Sequence, residues 1–276
     1  MGDNEPSAIE VIRPATGRQF RFALFDFDGT LSLIREGWPD VMIAMMVEYL
    51  QPVAANLPED RLREMLVADI AVSTGQPTIY QMMRLAERVA EFGGRPLAPR
   101  QYKAEYDRRL LAHIADRREA LAAGRATPDS RLLGGARPMV EALVSRGLTL
   151  CLASGTDEPF VREEAALLDL ARYFGRHIYG ALEDYEVSSK RRVIERLLAE
   201  NHIRGDELLV FGDGYVEIED GKAVGGYAVG VASDEKAGGG RLNAWKRDRL
   251  ILAGADVIVP DFAAHERLLT LLFGEG

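Results

Sequence analysis

Arg21-Phe22-Ala23-Leu24-Phe25-Asp26-Phe27-Asp28-Gly29-Thr30 is a near-continuous apolar run that stops in an acidic turn. A strand without a polar side has no face for water, so it reads as buried on both faces, as parallel strands under two helical layers are. Asp28-Gly29-Thr30 is the turn that ends it. Two carboxylates, Asp26 and Asp28, therefore sit at the carboxyl end of a buried strand.

Outward from this strand the pattern changes. Between about residues 38 and 123 apolar positions recur at helical spacing and β-branched runs are absent. The spacing predicts helices over roughly Pro39 to Leu50, Glu59 to Ile70, Thr78 to Phe92 and Pro99 to Ala123, divided by Gly75-Gln76-Pro77 and Gly93-Gly94-Arg95-Pro96. Met42, Met45 and Met46 fall on one apolar stripe and read as packing. After Gly134-Gly135 helices and strands alternate: a helix near Pro138 to Ser145, a strand at Leu148 to Ala153, and a helix opened by Asp157-Glu158-Pro159. A strand at His177 to Gly180, a helix from Ser188 to Asn201 and strands at Leu208 to Phe211, Tyr227 to Val231 and Asp256 to Val259 follow. Such alternation implies a parallel sheet with helices on both faces. The expected fold is α/β, a Rossmann-like three-layer core made of residues 1–34 and 132–276, interrupted by an all-helical insertion over residues 35–131.

Composition narrows the partners. The 276 residues carry a formal charge of -9, with 47% hydrophobic and 28% charged residues, as expected of a globular chain that repels polyanions. Neither nucleic acid nor an anionic membrane surface is an expected partner. No apolar stretch approaches the roughly 20 residues of a bilayer span, and Met1 to Ser7 lacks the basic-then-apolar order of a signal peptide, so a cytoplasmic protein is expected. Cys151, the single cysteine, lies in an apolar run and reads as structural. The Gly-rich stretch Ala237 to Gly240 reads as a loop.

In open α/β sheets ligands bind beyond the carboxyl ends of the strands. Three predicted strands end in polar residues beside glycine: Asp26-Phe27-Asp28, Ser154-Gly155-Thr156 and Gly212-Asp213-Gly214. If these strands are neighbours, one crevice collects three carboxylates, a hydroxyl and exposed backbone. Crowded carboxylates call for a cation, and Mg²⁺ suits hard oxygen donors better than the four scattered histidines would. Lys190 and the Ser154 hydroxyl would supply the charge and the donor that phosphoryl transfer requires.

Asp26-Phe27-Asp28-Gly29-Thr30, Ser154-Gly155-Thr156, Lys190 and Gly212-Asp213-Gly214-Tyr215-Val216-Glu217, in this order, resemble the four motifs of the haloacid dehalogenase superfamily. The likeness is to its phosphatases that carry a helical, C1-type cap. It covers about residues 20 to 32 and 132 to 262, while the helical block resembles a cap in position only. It implies that Asp26 is a nucleophile forming an aspartyl-phosphate, that Asp28 is the general acid and base, and that Ser154 and Lys190 orient and neutralise the phosphoryl group. It further implies a Mg²⁺ ion held by Asp26, Asp28 and Asp213, with Glu217 as an outer group. Thr30 agrees with the phosphatase members. The implied activity is Mg²⁺-dependent hydrolysis of a small phosphorylated metabolite such as a sugar phosphate or a phosphoglycolate-like acid. The alternatives are a phosphomutase of the same superfamily and a non-catalytic phosphometabolite-binding protein.

Several residues have plainer readings too. Ser154 to Asp157 could be a helix N-cap, and Arg191 and Arg192 match Lys190 in spacing. Thr74 and Gln76, in the polar turn Ser73 to Thr78, would either select substrate or merely join two helices. Arg35 would reach an anionic substrate or be a solvated hinge residue. Gly155 would let the backbone approach substrate.

Overall fold

The computed structural model describes residues 9–182, 190–235 and 240–274. Seven strands among them form one sheet: β1 (Glu10–Val11), β2 (Phe22–Phe25), β3 (Thr149–Asp157), β4 (Ile178–Ala181), β5 (Leu208–Gly212), β6 (Tyr227–Val231) and β7 (Val257–Val259). Their order is β1-β7-β6-β5-β2-β3-β4; β1 runs antiparallel to β7 and every other pair is parallel. The fold is the expected Rossmann-like α/β sheet with one addition, the antiparallel edge strand β1, whose two residues offer no periodicity to read.

Strand β2 lies at the centre. Phe25 is in register with Leu152 of β3 and Phe211 of β5, so the chain leaves all three strands at the same edge. The side chains of β2 divide by the period of two that strands impose. Ala23 and Phe25 join a core with the buried faces of α5 (Ala136–Ser145), α6 (Glu158–Leu167), α7 (Ala171–Phe174) and α11 (His265–Phe273). Phe22 and Leu24 face the other way, against Ile194 and Leu197 of α8 (Lys190–Asn201). Helices α9 (Tyr215–Ala223) and α10 (Ala244–Leu252) extend that second layer through Ile218 and Leu250. Cys151 belongs to the same layer, where burial pushes its thiol up to about 12.

Four helices form the block between β2 and α5: α1 (Trp38–Leu50), α2 (Glu59–Ser73), α3 (Thr78–Glu91) and α4 (Pro99–Ala122). Met42, Met45 and Met46 are buried between them, Tyr49 meets Tyr102 edge-on at 4.8 Å, and Asp69 of α2 receives both Arg84 and Arg88 of α3. The block is tied to the sheet domain at particular points. Lys103 reaches Asp157 at 2.6 Å, and the Tyr215 hydroxyl donates to the Val72 carbonyl at 2.5 Å. Arg249 donates to the neighbouring Ala71 carbonyl, so core side chains satisfy two carbonyls that the end of α2 leaves open. No helix among the described residues is long and apolar enough to cross a membrane.

Residues 183–189, 236–239, 1–8 and 275–276 are outside the description, which leaves out the expected helix start at Ser188, the N-terminal segment and most of the Gly-rich stretch.

Phe25 stacks on Phe211 at 4.4 Å and meets Phe174 and Phe262 edge-on. Phe25→Ala should therefore cost about 3–5 kcal/mol, read as a lower urea midpoint with an unchanged slope.

Candidate active site

Beyond the carboxyl ends of β2, β3 and β5 the polar residues converge. Asp26, directly after β2, accepts a 2.5 Å hydrogen bond from the Lys190 ammonium, which also reaches Glu217 at 2.9 Å. Lys190 opens α8 and is only 5% exposed, whereas Arg191 and Arg192 face solvent and Arg191 pairs with Glu195. Helix direction thus separates three basic residues that spacing alone left equal.

Glu217 lies deeper than an outer group would. Its Oε1 accepts the Gly214 amide at 2.7 Å at the start of α9, while Oε2 takes Lys190. Ligand oxygens of Asp26, Asp213 and Glu217 lie within 4.8 Å of one another. The Asp28 carboxylate stands apart from this cluster, turned toward β3. Its Oδ2 accepts from Thr156 at 2.9 Å and from Ser154 at 3.4 Å, while Oδ1 is buried without a hydrogen-bond partner. Ser154 also accepts the Thr156 amide, so the segment continues β3 rather than capping α6; the N-cap residue Asp157 makes no side-chain cap bond.

Two further groups were not foreseen. Lys246 of α10 donates to Asp213 and to Glu235, each at 2.8 Å. Glu235 follows β6, and its place beyond the carboxyl end of a parallel strand is the signal by which it could have been found; nothing in the local sequence pointed to Lys246.

Burial pushes the Asp26 carboxyl well above the usual range; Lys190 opposes the shift, while Glu217 and Asp213 add to it. Burial likewise moves Asp28 up to about 6, with the Arg35 guanidinium holding it down. Burial works against the charged Lys190, but Asp26 and Glu217 outweigh it and raise the ammonium; Asp213 and Glu235 do the same for Lys246. Around Asp26 and Asp213 the site is thus short of positive charge, with Asp26, Asp213, Glu217 and Glu235 facing Lys190 and Lys246. Three clustered hard oxygen donors with that deficit fit a divalent cation of the Mg²⁺ type.

Arg35 is neither solvated nor loosely tethered. It is buried, grips Glu164 of α6 through Nε and Nη2 at 2.9 and 2.8 Å, and lies 3.9 Å from Asp28. It lines a cavity of about 80 Å³ with Asp26, Asp28, Thr74, Gln76, Ser154, Gly155, Lys190 and Asp213, and the helical block contributes Trp38, Met42, Tyr106 and Leu110. Thr74 and Gln76 reach this cavity while engaged elsewhere: the Thr74 hydroxyl donates to Ile70 and the Gln76 amide donates to Tyr215. Thr30 is not in the lining; it is fully buried, with its hydroxyl unpartnered. Gly155 has to be small, since a Cβ there would lie 2.7 Å from the Gln76 carbonyl. Gly29 takes a φ of +79°, and a Cβ would strike Asp213 at 2.4 Å.

The fold and the order of these groups define a class. The chain belongs to the haloacid dehalogenase-like hydrolases, whose family model matches residues 20–225. Among solved structures it is similar to a predicted phosphatase from Clostridium acetobutylicum, with 18% identity, a TM-score of 0.59, and 92% of this chain and 100% of that one covered. A predicted phosphoglycolate phosphatase from Haemophilus somnus 129pt shares 18% identity at a TM-score of 0.58, covering 91% and 99%. A β-phosphoglucomutase from Clostridium difficile shares 14% at 0.59, covering 92% and 97%. Among curated proteins none matches the sequence significantly.

The Asp28 environment makes a prediction for the metal-free protein. Its native carboxyl holds a proton up to about 6 against 3.8 for an ordinary aspartate, so folding takes up a proton in that window and stability falls as pH rises through it. Asp28→Asn should remove a loss on the order of 2 kcal/mol, making the urea midpoint fall less steeply between pH 4 and pH 7 than in the wild type.

Proposed function

We propose that the protein is a Mg²⁺-dependent phosphomonoester hydrolase acting on a small phosphorylated metabolite, a sugar phosphate or a phosphoglycolate-like acid. The observation that carries the reading is the contact between Asp26 and the buried Lys190 at the floor of the pocket, next to a carboxyl whose proton is retained to about 6. The first is a nucleophile held beside a fixed positive charge. The second is an acid able to give up its proton near neutral pH.

In the first step an Asp26 oxygen attacks phosphorus, the bond to the ester oxygen breaks, and Asp28 delivers its proton to the departing alkoxide. Thr156 and Ser154 hold Asp28 Oδ2, leaving Oδ1 for this transfer. In the second step Asp28 takes a proton from water as the water oxygen attacks the aspartyl-phosphate, releasing phosphate and restoring Asp26. Lys190 would offset the charge that builds on the phosphoryl oxygens, and the Gly155 backbone would lie against them. Asp26 and Asp213, with the Asp28 main chain and Glu217 close by, would hold Mg²⁺, which supplies further charge to those oxygens. Arg35, fixed by Glu164, would present its remaining donors to an anionic leaving group.

Residues 35–131 would act as the cap and residues 1–34 with 132–276 as the catalytic core. A cavity of about 80 Å³, roofed by Trp38, Met42 and Tyr106, suits a phosphoryl group with a short leaving group and excludes a macromolecule. Thr74 and Gln76 would face that group. A phosphomutase is the second reading, supported by the structural likeness to the β-phosphoglucomutase: it would use the same aspartyl-phosphate and return the group to substrate.

The test is phosphate release from a panel of phosphorylated metabolites, with Mg²⁺ and with chelator. Release should need the metal, and Asp26→Asn should lower it by at least about a thousandfold while leaving the far-UV circular dichroism intact. Chelator-resistant release, or an active Asp26→Asn protein, overturns the scheme; isomerisation of a sugar phosphate without free phosphate assigns the mutase.

A further inference from the structure

Lys246 has no part in the scheme above, yet it touches the carboxylate assigned to the metal. Its position is built rather than incidental. Asn243 caps α10 by accepting the Lys246 amide at 3.0 Å, which fixes where the side chain starts. The ammonium is then shared between Asp213 and Glu235 at 2.8 Å each, with side chains 17%, 11% and 19% exposed. Ser233 donates to the Gly29 carbonyl at 3.2 Å, tying the segment that bears Glu235 to the turn after Asp28. Asp213 lines the reaction pocket and two neighbouring cavities; Lys246 lines both of those and Glu235 one of them, and neither lines the reaction pocket. Lys246 therefore approaches Asp213 from the side away from Lys190.

We propose that Lys246 is the resident counter-ion of the metal site, neutralising Asp213 when the divalent ion is away and holding the ion's affinity low enough for exchange. The inference rests on the reading that Asp213 is a metal ligand. Its logic is charge. Asp26, Asp213, Glu217 and Glu235 face Lys190 and Lys246, which leaves two negative charges, matching one divalent ion. Without Lys246 three remain, and a cation at Asp213 no longer meets a like charge a few ångströms away. Glu235 acts through the lysine: it draws Lys246 partly off Asp213. Neutralising Glu235 leaves the ammonium wholly on Asp213 and makes the site harder to fill.

Mn²⁺ titration by calorimetry, on substrate-free protein, tests this without any turnover. Lys246→Met should tighten Mn²⁺ binding by about tenfold or more, because unit charges this close interact strongly in a partly buried site. Lys246→Gln, a polar replacement, should do the same, and a thermal melt checks that each variant is folded. Glu235→Gln, which keeps the lysine, should weaken binding. Unchanged or weaker binding in the folded lysine variants, or tighter binding in Glu235→Gln, overturns the assignment of Lys246 while leaving the hydrolase reading standing. Absence of Mn²⁺ binding by the wild-type protein overturns the metal reading itself, and this inference with it.

Discussion

A lysine enclosed between two carboxylates governs this structure. Lys190 is nearly inaccessible, and so are Asp26 and Glu217, so none of the three can be left alone without an uncompensated charge in a low-dielectric interior. The triangle joins the end of β2, the first residue of α8 and the first turn of α9, elements far apart in sequence. Such a pairing stabilises little by itself, since the desolvation of three charges offsets most of the attraction. Its effect is on geometry: the two helices bring Lys190 and Glu217 together at the end of β2, which puts a positive charge beside the carboxylate directly following the central strand.

How much of this is legible in the sequence depends on whether the chain or its packing decides the position. Strands β2 and β5 announce themselves because burial on both faces leaves only apolar residues, and Asp26, Asp28, Ser154 and Asp213 follow because strand ends are where a parallel sheet keeps its polar groups. The helical block was legible from its spacing, with α1 and α3 starting within a residue of expectation. Strand β1 was not, because two residues carry no period. Helix α9 was hidden by its acidic run and by Gly221, a poor helix former. Lys190 among three basic residues, the burial of Glu217, and the partners Glu164, Tyr106 and Lys246 all belong to helices. Which face a helical residue presents to a neighbour is set by tertiary contacts that no local pattern encodes.

Arg35 shows the same limit in another form. It follows the first motif closely, and its charge suggested either a substrate contact or solvent. Its bidentate partner Glu164 lies on α6, 129 residues away, and the pair is buried under Phe160 and beside Tyr106. A guanidinium held this way loses little further freedom on meeting an anion, because the fork is already in place. Asp28 feels the arrangement from one side only: Arg35 favours its charged form, whereas Glu164 and burial favour the neutral one. The balance leaves a carboxyl that exchanges its proton at about 6.

The helical block and the acidic floor are not independent. Tyr215 sits two residues after Asp213 and two before Glu217, and its hydroxyl donates to Val72 while receiving the Gln76 amide. Arg249, three residues beyond Lys246 on α10, holds Ala71 and stacks on Tyr215 at 4.8 Å. The segments that carry Asp213 and Lys246 therefore also anchor the end of α2 and the turn containing Thr74 and Gln76. Withdrawal of the helical block has to break hydrogen bonds to α9 and α10, so the polar floor and the pocket roof cannot move without affecting one another. The position of the roof and that of the carboxylates are thus linked through two neutral hydrogen bonds, each contributing about 1 kcal/mol, and a charge-assisted one from Arg249.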